Sequence, residues 1–157
     1  MVNIFQDSLP LALQTRKNFL AILESSSIAE LNAIPIGFNN NVIWNIAHIV
    51  ATMDILYYSL NGLTPKLDAD FIDQYRKGTK PSSMVDEAMV NELKRNLIAQ
   101  LECIAMDVQP GIFPENLPKP YTTSYHFELK TFEDIVRFNQ VHEALHMGIV
   151  MSLRKFV

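Results

Sequence analysis

The stretch FEDIVRFNQVHEALHMGIVMSLRKF, Phe132 to Phe156, sets Ile135, Asn139, His142, His146, Ile149 and Leu153 at steps of three and four, the spacing of one face of an α-helix. Thr131 stands where an N-cap belongs, with Asp134 three positions later as a variant of the capping box. A helix of this length is stabilised mainly by burying its apolar face against other elements, so partner helices are expected. Both histidines share the inward face. Four residues apart, they lie about 6 Å from each other along the axis.

Three further segments can supply the partners. From about Asn3 to Ser26, Phe5, Leu9, Leu13, Leu20 and Leu23 alternate with Gln, Arg, Lys and Glu, with Pro10 shifting the start of the helix or bending it. From about Val42 to Leu60, Trp44, His48, Ala51, Ile55 and Tyr58 form one line; an Asn of the triplet 39–41 caps the start, and Asn61-Gly62 stops the end. From about Met84 to Met106, Met89, Leu93, Leu97, Leu101 and Ile104 repeat at near-heptad spacing, and Pro110 and Gly111 follow. Ser25 to Ser27, Pro35 and Gly37 mark a loop after the first segment.

Two connections, 62–83 and 107–130, are long for a compact domain, and loops of that length usually have a function. The tract Tyr121 to Phe127 is rich in strand-favouring residues and is expected to lie extended across the bundle. The fold expected is therefore all-α: a single domain over residues 1–157, a four-helix bundle with long crossover connections and a short extended segment before the last helix.

Composition narrows the function. The chain has 157 residues, 48% hydrophobic and 19% charged, as expected of a globular protein. Its 13 Lys and Arg against 17 Asp and Glu leave a net charge of −4, and no basic stripe is present to neutralise phosphates. Nucleic acid is thus not an expected partner. No apolar run reaches the roughly 20 residues of a membrane span, and the start lacks a basic segment ahead of an apolar one. Together with the single cysteine, Cys103, read as a small helix hydrophobe, this gives a cytoplasmic expectation with no membrane partner.

The histidines carry the chemistry. Two imidazoles from one helix leave a metal ion under-coordinated, and His48, on the core line of the second helix, can supply the third nitrogen. Burying three imidazoles without partners would cost about 1–3 kcal/mol each, and a shared divalent ion converts that cost into ligation. The plainer reading of an inward histidine is a core residue hydrogen-bonded to a carbonyl or tyrosine. It suits His126, in the extended connection, whose alternative is a place beside the site as an extra ligand or supporting group. Trp44 and Tyr58 read as packing residues.

His142-Glu143-Ala144-Leu145-His146 also spells the H-E-x-x-H pattern of zinc peptidases, in which the Glu acts as general base. None of the eleven residues after His146 is Asp, Glu or His, so the peptidase layout lacks its downstream ligand. Glu-x-x-His occurs once, whereas di-iron bundles use it twice. A one-metal site is the better fit, with Glu143 as the catalytic candidate and its side chain rotated by about 100° from His142.

Trp44-Asn45-Ile46-Ala47-His48, the tract Tyr121 to Tyr125, and Phe138-Asn139-Gln140-Val141-His142-Glu143-Ala144-Leu145-His146-Met147-Gly148 together resemble the DinB/YfiT-like family over nearly the whole chain. The resemblance implies a four-helix bundle, commonly a homodimer, with zinc or nickel on the histidines matched by His48, His142 and His146. It also implies metal-dependent chemistry of the thiol-dependent transferase or isomerase kind. The family pattern does not require Glu143. Imidazole ligands alone suit zinc, nickel, copper and iron. A hydrolase activating water and a transferase using a low-molecular-weight thiol would employ the same ligands on a small-molecule substrate. The competing class is a non-catalytic protein, either a metal-stabilised binding scaffold or a small-ligand sensor.

Overall fold

The computed structural model describes residues 2–157. Four long helices form the bundle: α1 (Val2–Ser25), α3 (Val42–Tyr57), α5 (Glu87–Asp107) and α6 (Phe132–Leu153). Around its circumference the order is α1, α5, α3, α6, each helix packing chiefly on its two neighbours. Going from α1 to α3, and again from α5 to α6, the chain therefore crosses the bundle diagonal. Short turns cannot do this. Of the two long connections read from the sequence, 107–130 makes such a crossing, whereas 62–83 joins the neighbours α3 and α5, and the first diagonal is crossed by the segment between Ser25 and Val42.

The caps follow the sequence. Asn41 accepts from Trp44 N–H at 2.9 Å to start α3, and Gly62, at φ 74°, ends its 3₁₀ extension Ser59–Asn61. The Thr131 and Asp134 side chains each accept from the other's backbone N–H, closing the box at the head of α6. Pro10 lies inside α1, and Gln6, whose carbonyl loses its helical donor to that proline, is exposed to solvent.

The connections are more ordered than expected. Ser27 and Glu30 form a capping box that starts a five-residue helix, α2 (Ile28–Asn32), within the stretch read as a loop. In the second connection Asp68 caps α4 (Ala69–Tyr75). Of the tract Tyr121 to Phe127, expected to be extended, only Tyr121 and Thr122 lie in a strand: β1 (Asn116–Thr122) and β2 (Glu128–Thr131) pair antiparallel in a hairpin whose turn is formed by 123–127. Its ladder is irregular between Asn116 and Tyr121, where Pro118 and Pro120 have no N–H to donate. Leu117 and Leu129 seat the hairpin on the core.

Of the 16 residues of α3, 14 are buried, so it is the central helix of the bundle and not a helix with one apolar stripe. On α6 the buried residues are Phe132, Ile135, Val136, Phe138, Asn139, Glu143, Val150 and Leu153, whereas Ile149, expected inward, is 37% exposed. The core face of α6 thus runs through Glu143, one residue beyond the expected line through His142.

The cause is a buried arginine. Arg16, fully buried on α1, donates through Nε at 3.0 Å to both oxygens of Glu143 and through Nη2 at 2.7 Å to Oε1. Its remaining contacts are Gln100 Oε1 of α5 at 3.4 Å and Met53 Sδ of α3 at 3.0 Å. Asn139 donates to Glu143 Oε1 at 3.0 Å, and Gln100 to the Val50 carbonyl at 2.9 Å. This polar layer separates two apolar clusters, one with Phe19, Leu97 and Val150 and the other with Ala12, Leu101 and Phe138.

Removing one partner of a buried pair strands the other charge, at about 3–5 kcal/mol. Arg16→Ala and Glu143→Ala are each expected to lower the urea unfolding free energy by about that amount. Arg16→Met combined with Glu143→Leu should be far milder than the sum of the single losses, a non-additivity that a double-mutant cycle measures.

Candidate metal centre

His48 projects from α3 toward His142 and His146 on α6, and one ring nitrogen from each lies within 4.8 Å of the others. The structure thus brings together the three residues singled out in the sequence. The Nε2 atoms of His48 and His142 are 3.2 Å apart. Two nitrogens bound tetrahedrally to one zinc ion at the usual bond length would be separated by about 3.3 Å.

Neighbouring groups select the ring tautomers. His48 Nδ1 is 2.6 Å from the Tyr75 carbonyl, which can only accept, so Nδ1 carries the proton and the Nε2 lone pair faces His142. His146 Nδ1 lies 2.8 Å from Asn45 Oδ1. The Asn45 amide nitrogen donates to the Asn41 carbonyl at 2.7 Å and to Asn40 Oδ1 at 3.1 Å, which turns its oxygen toward His146. His146 Nε2 is therefore also free to ligate. His142 Nδ1 is buried with no partner among the described residues. Trp44 stacks on His48 at 4.8 Å and 10°, fixing the plane of that ring.

Burial lowers the pKa of all three imidazoles. For His48 it outweighs the Tyr75 carbonyl, which favours the charged ring. His142 falls to about 2 and His146 to about 3, burial being the larger cause and the neighbouring histidines adding to it. Neutral rings are the form in which histidine binds metals, and proximity that penalises three protons favours one shared cation. The donor set and its spacing fit a single divalent ion.

Glu143 does not join the cluster. Both its oxygens are engaged by Arg16, and it is 2% exposed, a placement that does not suit the general-base role expected of it. His126 is exposed at φ 59° in the hairpin turn, outside the three-histidine group. Tyr58 packs in the core with its hydroxyl donating to Asp107 at 2.8 Å, and Cys103 is half-buried with its sulfur 3.9 Å from that hydroxyl. Sequence reasoning missed the Tyr75 carbonyl, because a backbone acceptor leaves no mark in residue type. Asn45 was legible only as a residue one turn before His48.

A cavity of about 310 Å³ opens over the histidines. Ile55, Leu56, Phe138, Leu145 and Ile149 give it apolar walls, which explains why Ile149 leaves the core. Thr52 of α3 and the two long connections supply the rest of the lining: Lys77 from one connection, and Tyr121, Thr123, Ser124 and Tyr125 from the other.

The lowered pKa values fix a pH dependence. In the unfolded chain each histidine titrates near 6.5, whereas in the folded, metal-free protein His142 and His146 titrate near 2 and 3. The unfolded state takes up the extra protons, so stability is full above pH 6.5 and falls as the pH drops below it. Between pH 6.5 and 5, above most carboxylate titration, chelator-treated protein should lose up to about 1.4 kcal/mol per pH unit for each such proton. Denaturation of a His142→Gln, His146→Gln variant should show a shallower slope over that interval.

Comparison with known proteins agrees with this architecture. No curated protein matches the chain. A family profile described as the DinB superfamily matches residues 12–150, a span containing all three histidines. With that match covering most of its length, the chain belongs to the DinB superfamily.

Proposed function

We propose that this protein is a metal-dependent enzyme that holds one divalent ion, zinc or nickel, through His48, His142 and His146 and acts on a small molecule in the cavity above them. The observation that carries the reading is the union of three neutral nitrogens with a solvent-connected space. Three protein ligands beside an open cavity are the arrangement of a catalytic centre, whereas structural sites are closed by a fourth protein ligand. When bound, the ion supplies Lewis acidity for hydrolysis or for transfer to a low-molecular-weight thiol.

The chain's own residues do the positioning. Tyr75 and Asn45 hold two imidazoles in the ligating tautomer, and Trp44 sets the plane of one of them. The apolar walls hold the apolar part of the substrate. Glu143 acts through Arg16 on the pitch of α6 and takes no proton from substrate. A cytoplasmic location and a homodimer complete the proposal, the homodimer supported by exposed apolar side chains on α6 at Val141 and Met151.

Elemental analysis of untagged protein purified without nickel resin tests the site. About one ion per chain is expected, with loss of that ion in His48→Ala and His142→Ala and unchanged helical content by circular dichroism. Unaltered metal content in those variants would reject the ligand set. Loss of turnover on chelation with the fold retained identifies a catalytic ion, while unfolding without any turnover would identify a structural one.

A further inference from the structure

We infer that the cavity over the three histidines selects small molecules with an apolar body and an anionic group at the solvent end, and that Lys77 is the residue that reads this anion. The inference rests on the metal-centre reading above and adds the substrate class. Three neutral imidazoles do nothing to offset the charge of a divalent ion, and none of the residues lining the cavity is Asp or Glu. Glu143, beside His142 in the sequence, is already neutralised by Arg16. With the histidines neutral, Lys77 is the one charged side chain in the lining, and no carboxylate among the described residues pairs with it. The loaded cavity is therefore positive from end to end in a chain of net charge −4. Low-dielectric walls strengthen such a field, which favours negative ligands.

The placement of Lys77 is built into the fold. Tyr75, two residues earlier, is 3% exposed and its carbonyl receives the His48 ring N–H, so the end of α4 is tied to the metal centre. Lys77 itself is exposed, whereas His48 is buried and His142 and His146 are half-buried. Ser124 and Tyr121 line the same cavity with hydroxyls that can donate to the same anion. A ligand spanning the space would set its donor atom at the histidines, its apolar middle against Phe138 and Leu145, and its charge at Lys77.

Isothermal titration of metal-loaded protein with the monohydroxamates of succinic, adipic and suberic acid tests the inference. Each is compared with its terminal carboxamide, and the hydroxamate serves as the metal-binding head. For at least one length the carboxylate-tailed probe should bind about two- to fivefold tighter at low salt, the range of an exposed ion pair. Lys77→Gln should abolish that preference, Lys77→Glu should reverse it, and Lys80→Gln, in the same loop, should retain it. Equal binding of both tails at every length, or a preference that survives Lys77→Gln, would overturn the inference. Probes that bind loaded and chelator-stripped protein alike would instead remove the metal-centre reading, and this inference with it. Tail-independent binding that requires the ion would leave the metal centre standing and sink Lys77 alone.

Discussion

A single cation in the middle of the bundle disciplines everything around it. Arg16 is fully buried, and a guanidinium cannot shed its charge in a protein, so the fold must bring it a carboxylate and hold that carboxylate still. One contact from each long helix meets at this point, and the apolar core is divided there into two clusters. Sliding α1 or α6 by a turn would bury an unpaired charge, which sets the axial register of those two helices, while Met53 and Gln100 tie α3 and α5 to the same level by neutral contacts. Because Glu143 is the residue drawn inward, the histidines on either side of it are turned toward the cavity. The H-E-x-x-H string thus works here in an unusual division of labour, its glutamate locking the core and its histidines facing the site.

The long helices, the capping of α3 and α6 and the three converging histidines were legible because they rest on local periodicity and on residue types with few alternative uses. The phase of α6 was not. Apolar spacing placed Ile149 inward and Glu143 to one side, whereas a long-range ion pair across 127 positions reversed both. Nothing in the neighbourhood of Arg16 distinguishes it from an exposed helix arginine. The short helices α2 and α4 escaped notice for a different reason, since five and seven residues are too few to show a period. The hairpin was only partly visible: the strand-favouring tract Tyr121 to Phe127 covers the end of β1 and the turn, and the partner strand, Glu128–Thr131, is charged and short.

The connections turn out to be functional parts of the site. Each crosses or borders the bundle where a helix cannot, and each delivers groups that the helices lack. Through Tyr75 the second connection reaches the back of one imidazole with a carbonyl, while Asn40 and Asn41 orient the amide that supports another. These contacts decide which nitrogen of each ring is available, a choice that residue identity alone leaves open. The rigid helices set where the rings stand, and the intervening chain sets what they can do.

Trp44 is the only tryptophan of the chain, and its ring lies nearly parallel to that of His48. All indole emission from this molecule therefore originates against one wall of the metal centre. An ion bound there would draw electron density from that imidazole and alter the light emitted by its neighbour, which would give an optical gauge of occupancy with no label attached and no other indole in the background.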